Sequence, residues 1–256
     1  MKVLLQKKAT GDNFSIEAGI ADGTKNFDHH GEHSDQPCPS VDERIPVVGQ
    51  NDTVELTHMD ADTLLGLRRM AGLDIPKEID LALIEQIDLN GTSGVTPDTT
   101  LYYMVGVSEK SKSLRIPFPK EEQQDVTKQV AALLETYPEE LIALGRKAHK
   151  KSETAYAECR VAVEGKVGLW TINATDPLDP SRPYVDGFEV VVVHRIHYKS
   201  LSIYCAPGSE FAFGGQEVGG IQFAGHPKAA GSPRGVEFNL DDAKRVYSAV
   251  IVELSQ

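Results

Sequence analysis

The sequence predicts an α/β protein with three parts: an N-terminal domain built on a largely parallel sheet, a helical connector, and a smaller C-terminal α+β domain. An active site is expected in the cleft between the domains. Three observations carry this expectation. Through residues 1–119 short apolar strands alternate with helix-period segments, the pattern of a parallel sheet with crossover helices. Residues 120–159 lose that alternation and carry two successive helical stripes. Residues 160–256 return to β-rich runs, then a glycine-rich stretch and a terminal amphipathic segment. A length of 256 residues accommodates two modest domains.

The elements follow in chain order. Residues 2–6, 14–18 and 52–56 are apolar runs of strand length. Over residues 62–71, Leu64, Leu65, Leu67 and Met70 recur at helical spacing, and Gly72 stops the helix. Ile79, Leu83 and Ile87 place a second helix at about residues 77–87. In the connector, one helix carries Val126, Val130, Leu133 and Leu134. A second carries Leu141, Ile142, Leu144 and Ala148, with the break at Tyr137-Pro138. The basic residues Arg146, Lys147, Lys150 and Lys151 close that second helix, where positive charge suits the dipole and a solvated face. Beyond it, residues 160–163, 167–172, 188–195 and 201–204 read as strands, 214–231 as a glycine-rich loop, and 241–252 as a helix. Trp170 reads as core.

Composition excludes several functions. The chain carries 26 Lys+Arg against 38 Asp+Glu, a net charge of −12, and lacks the basic field needed to grip long duplex nucleic acid. The acidity is concentrated: residues 1–119 hold 11 basic and 19 acidic groups, against 6 and 8 in residues 120–159 and 9 and 11 in residues 160–256. No run approaches the roughly 20 apolar residues of a membrane span, and the apolar start is too short for a signal peptide, so a cytoplasmic protein is expected. Cys38, Cys159 and Cys205 are too few and scattered for a disulfide framework or paired-cysteine zinc site.

Three short constellations carry chemistry. Asp28-His29-His30, at a strand end, offers oxygen and nitrogen ligands at one point or forms a polar loop tip. In His58-Met59-Asp60-Ala61-Asp62, an extended backbone would turn His58, Asp60 and Asp62 to one side. They would then sit at the sheet edge where open α/β folds hold ligands. Asp60 or Asp62 could instead cap the following helix. Asp88, just past a helical pattern, suits either a turn or a ligand. The third is Ala224-Gly225-His226-Pro227-Lys228-Ala229-Ala230-Gly231, where small residues allow close backbone approach and His226 and Lys228 add donors for phosphate.

Together these motifs resemble the DHH phosphoesterase superfamily with its DHH-associated C-terminal domain. Asp60-Ala61-Asp62 is similar to its DxD motif, Asp28-His29-His30 to its DHH motif, and residues 224–231 to its GGGHPKAAG-like loop; here DHH precedes DxD. The resemblance implies two divalent ions, usually Mn²⁺, with Mg²⁺ or Co²⁺ as substitutes, and a two-metal-activated hydroxide attacking phosphorus. It implies metal ligation by His29, His58, Asp60 and Asp62, with Asp88 and, less directly, Asp22 as further aspartates. Catalytic roles fall to Asp60, Asp62 and His30, the last as phosphate contact or proton donor. Gly225, His226 and Lys228 would hold substrate; Arg195 is either a substrate contact or an ordinary strand residue.

The expected activity is phosphoester or phosphoanhydride hydrolysis on a small nucleotide, short oligonucleotide or polyphosphate. The acidic balance favours a short substrate. The contrasting expectation is a nucleotide-binding or sensing protein on the same fold without turnover, and a mononuclear zinc hydrolase is a third. No membrane partner is expected, and a homodimer is open.

Overall fold

A computed structural model describes the chain except residues 30–32, 34, 91–94, 118, 174–177, 180, 234, 255–256 and the side chains of 89, 90 and 226. The chain divides into two compact units, Met1–Leu89 with Thr96–His149, and Asn90–Val95 with Lys150–Gln256.

The first unit contains β1 (Lys2–Leu5), β2 (Phe14–Ile16), β3 (Asn26–Phe27), β4 (Thr53–Leu56), α1 (Ala61–Met70), α2 (Leu81–Asn90), α3 (Thr99–Ser113), β5 (Gln124–Asp125), α4 (Thr127–Leu134) and the start of α5 (Pro138–Glu158). Its sheet runs β3-β2-β4-β1-β5, parallel except for β5. The register is what places the site. Ile16 lies opposite both Phe27 and Leu56, and Leu5 opposite Leu56, so these strands end level with one another. Whatever follows Ile16, Phe27 and Leu56 therefore emerges at one carboxyl edge. Val3, Leu5, Ile16, Phe27, Val54 and Leu56 are buried with Leu67 and Met70 of α1 and Val126 and Val130 beside α4, which anchors that edge in a continuous core.

Two helices of this unit differ from the sequence expectation. Helix α3 was not expected, because its Thr, Tyr and Val residues and internal Gly106 give no strong helical stripe. It forms through tertiary approach and through its cap: Asp98 accepts from the Leu101 N–H at 2.9 Å. A Cβ on Gly106 would lie 1.8 Å from the Leu141 carbonyl oxygen, and one on Gly145 would lie 1.7 Å from that of Tyr102. The backbones of α3 and α5 therefore touch where both glycines sit. Helix α2 also runs on to Asn90, so Asp88 projects from its last turn instead of a following loop.

The second unit contains β6 (Arg160–Glu164), β7 (Val167–Ile172), α6 (Arg182–Val185), β8 (Val190–Arg195), β9 (Ser200–Cys205), β10 (Glu217–Val218), β11 (Ile221–Gln222), β12 (Ala224–His226), β13 (Ala229–Gly231) and α7 (Leu240–Leu254). Its main sheet runs β12-β13-β9-β8-β7-β6, with only β7 and β8 parallel. Both faces are covered, which explains the unbroken valines 190–193. Val190 and Val192 join Ala243, Val246 and Val250 of α7, while Val191 and Val193 join Trp170, Ile172 and Phe188. Trp170 is fully buried, and its indole N–H donates to the Tyr156 carbonyl at 2.9 Å. The expected glycine-rich loop is instead two hairpins, β10–β11 and β12–β13, and β13 extends the sheet beside β9. Small side chains permit this: Ala230 is buried against the core opposite Ile203. Among the described residues no helix is long and apolar enough to cross a membrane.

Candidate metal centre

The level strand ends bring four chain segments together. Glu17 directly follows β2, Asp28 and His29 follow β3, Thr57 and His58 follow β4, and Asp60 and Asp62 open α1. Asp88 reaches the same place from α2, close to His29. This is the carboxyl edge of a parallel sheet, where open α/β folds bind ligands.

His29 stands at the buried end. Its Nε2 lies 2.8 Å from Glu17 Oε1, 3.0 Å from Asp88 Oδ2 and 3.8 Å from Asp62 Oδ2. An imidazole nitrogen carries at most one proton, so three carboxylates around it exceed what a neutral ring can satisfy. Burial alone would lower the His29 pKa, but hydrogen bonds with Asp88, Cys38 and Glu17 outweigh it, and the pKa is raised. Asp62 moves the other way from its ordinary value. Burial, then the charge of Glu17, pushes its carboxyl up to about 8, against the Ser40 N–H donated at 2.8 Å. Asp62 Oδ2 is buried without a well-formed hydrogen bond, and Asp88 Oδ2, also buried, shares His29 Nε2 with Glu17. Each is a desolvated acceptor turned toward the same point, a costly arrangement unless a cation is bound there.

The second group is more open. His58 Nε2 lies 3.0 Å from Glu17 Oε2 and 3.1 Å from Asp60 Oδ2. Thr57 decides which nitrogen bears the proton of a neutral ring. Its hydroxyl donates to the Glu17 carbonyl oxygen, so toward His58 Nδ1, at 2.9 Å, it can only accept. Nδ1 is then the protonated nitrogen, and the Nε2 lone pair faces two carboxylates. Only a proton or a metal ion makes that attractive. In the metal-free protein the proton does so: burial lowers the His58 pKa, Asp60 and Glu17 raise it further, and it settles at about 10. Asp60 divides its carboxylate, Oδ1 capping α1 through the Thr63 N–H at 2.9 Å and Oδ2 facing His58. Burial would raise its pKa, but the hydrogen bonds and charge of His58 outweigh it and hold the pKa below the ordinary value. The cap reading is thus met, and the same carboxylate keeps one oxygen turned toward His58.

Glu17 joins the halves, with Oε1 toward His29 and Oε2 toward His58. Glu17 thus enters two donor sets, Glu17–His58–Asp60 and Glu17–His29–Asp62, and His29, Cys38 and Asp88 form a third, each with its atoms within 4.8 Å of one another. Carboxylates with imidazoles suit Mn²⁺ and similar divalent ions, and the buried carboxylate oxygens fit a cation. Glu17 adopts φ 56°, in the left-handed region that disfavours its Cβ, a strain of the kind found at functional sites. Its N–H, bonded to the Phe27 carbonyl at 2.8 Å, and its carbonyl, bonded by Thr57, hold it there.

The structure thus brings His29, His58, Asp60, Asp62 and Asp88 together, but not Asp22. That carboxylate accepts from the backbone N–H groups of Thr24, Lys25 and Asn26 and from the Asn26 amide, closing its own turn. Burial alone would raise its pKa, but these bonds together outweigh it and lower it. His30 and the His226 side chain lie outside the described residues. Gly225 lies in β12, at φ 119°, as part of a hairpin. Lys228 donates to the Ser209 and Phe211 carbonyls, the latter at 2.6 Å, and so ties down a neighbouring loop. Arg195 donates to the Tyr204 hydroxyl at 3.0 Å on the adjacent strand. Sequence reasoning missed Glu17, whose one signal is an acidic residue immediately after an apolar strand.

No protein-family model matches the chain, and no curated protein matches it. Among solved structures, the fold is similar to PggH, a pGpG-specific phosphodiesterase from Vibrio cholerae, at 10% identity and TM-score 0.44 over 81% of each chain. It is also similar to an exopolyphosphatase-related protein from Bacteroides fragilis, at 8% identity and TM-score 0.34, covering 94% of this chain and 82% of that one. An uncharacterized protein from Helicobacter pylori G27 matches at 10% identity and TM-score 0.27, covering 66% and 59%. At these TM-scores the likenesses carry no conclusion about activity.

Proposed function

We propose that this chain is a divalent-metal-dependent phosphoesterase, with Mn²⁺ the fitting ion. Its substrate would be a small nucleotide, short oligonucleotide or polyphosphate, hydrolysed at a phosphoester or phosphoanhydride bond. The observation that carries the reading is Glu17, a buried carboxylate presenting one oxygen to each of two imidazole–carboxylate groups. The motifs resembling the DHH superfamily, Asp28-His29-His30 and Asp60-Ala61-Asp62, supply most of the other donors. Bound there, a pair of ions would supply Lewis acidity toward phosphoryl oxygen and toward the attacking water.

The chain's own residues divide the remaining work. His29, Asp62 and Asp88 would hold the buried position, and His58 with Asp60 the outer one. The side chains of His58 and Asp60 are 40% and 37% exposed, against 2% and 1% for His29 and Asp62, so substrate would enter on the His58 side. His30, next in chain to a ligand, would contact phosphate or give a proton to the leaving oxygen. Gly225, His226, Lys228 and Arg195 remain the proposed substrate contacts, with the Lys228 ammonium already engaged by two carbonyls.

The test is phosphate or mononucleotide release from a linear dinucleotide, a bisphosphorylated nucleotide and a short polyphosphate, with and without Mn²⁺. Hydrolysis of at least one, dependent on metal and reduced about 100-fold or more by Asp62→Asn, supports the proposal. Metal binding without hydrolysis of any of the three would favour the sensing alternative.

A further inference from the structure

One buried group beside the centre, Cys38, belongs to neither donor set that contains Glu17, although its sulfur groups with His29 and Asp88. Cys38 is 1% exposed, and its Sγ lies 3.4 Å from His29 Nδ1, while the carboxylates gather around Nε2, the other nitrogen of the ring. We propose that Cys38 is a positioning residue: Nδ1–H of His29 donates to its sulfur, which fixes the tautomer that turns the Nε2 lone pair toward Glu17, Asp62 and Asp88. This rests on the metal-binding reading of the cluster.

The segment carrying Cys38 is built to hold that contact. Cys38 sits between Pro37 and Pro39, whose rings restrict the backbone on both sides. Its carbonyl accepts from the N–H groups of Val41 and Asp42, both at 3.0 Å. Two residues on, the Ser40 N–H donates to Asp62 Oδ1 at 2.8 Å, while the Ser40 carbonyl accepts from Arg69 Nη2 at 2.8 Å. Pro39 lies on Gly66 of α1, where an added Cβ would come within 2.9 Å of the proline Cβ. Residues 38–40 therefore grip the outward atom of two candidate ligands at once, Nδ1 of His29 and Oδ1 of Asp62. The inward atoms, Nε2 and Oδ2, are left facing each other at 3.8 Å. An acceptor on the far nitrogen orients a ligating imidazole and fixes its tautomer.

Sulfur on the far nitrogen also separates this role from ligation, and Co²⁺ reads the difference. The experiment measures Co²⁺ affinity and the near-ultraviolet spectrum for the wild type, Cys38→Ala and Cys38→Ser, with the imidazole ¹⁵N spectrum of the Zn²⁺-loaded wild type. The expected result is a 10–100-fold weaker affinity at one position in Cys38→Ala. Cys38→Ser should recover most of it, and the wild type should show a His29 Nδ1–H and no sulfur-to-cobalt charge-transfer band. A band that Cys38→Ser abolishes makes Cys38 a ligand and overturns the proposal. So does a Cys38→Ala affinity within twofold of wild type, or a His29 ring lacking the Nδ1 proton. If Cys38→Ala fails to fold, the wild-type spectra still decide. A wild type that binds neither ion overturns the metal reading and this inference together, whereas the other outcomes overturn this inference alone.

Discussion

At the scale of single residues, one hydroxyl and one strained carboxylate organise the centre. Thr57 fixes the His58 tautomer and holds the Glu17 carbonyl, and Glu17 faces both donor sets. Replacing Thr57 by Val keeps the shape and removes both bonds, so metal affinity should fall about 10–100-fold, while Thr57→Ser should stay within several-fold of wild type. Calorimetric titration with Mn²⁺ checks this, and equal affinities for all three proteins would contradict it. Asp22→Asn, by contrast, should leave Mn²⁺ binding unchanged, since that carboxylate serves its own turn. His29, His58, Asp60 and Asp62 were legible because each lies in a short motif whose spacing means something locally. Glu17 was not: its role depends on Ile16 lying level with Phe27 and Leu56, a fact about strand register that no local pattern encodes.

The same division holds for elements. Helices α1 and α4 announce themselves through apolar spacing, and β1, β2 and β4 through apolar runs bounded by turns. Helix α3 does not, because what stabilises it is backbone contact with α5 through Gly106 and Gly145, residues that a local reading counts against a helix. That contact makes a firm prediction. Gly145→Ala would place a Cβ 1.7 Å from a backbone carbonyl, so the helices must separate. The cost should be about 1–3 kcal/mol or more. Thermal unfolding should show a melting temperature several degrees lower; an unchanged one would mean that the helices do not meet there. The residues 214–231 were legible as small and glycine-rich, yet pairing with β9 was not, because strand partners lie far apart in sequence.

At the scale of the molecule, the net charge of −12 acquires a location. Eight of the excess acidic groups lie in residues 1–119, which hold every residue of the candidate centre. In the metal-free protein, protons partly take the place of the cations: His58 has its pKa raised to about 10 and Asp62 to about 8. Both groups are thus largely protonated at pH 7, and a metal must displace those protons to bind. Affinity should therefore rise with pH, by about tenfold per unit for each proton displaced, and level off only above the raised pKa values. Titration at pH 7 in buffers of different ionisation enthalpy should show net proton release; none would contradict these protonation states. The central claim is that Glu17 serves two metal positions, and counting Mn²⁺ after equilibrium dialysis at pH 8, for wild type and Glu17→Gln, tests it most directly. The account predicts two ions per wild-type chain and one or none in Glu17→Gln, whose amide offers only one oxygen. Fewer than two in the wild type, or two retained without the Glu17 carboxylate, would contradict it.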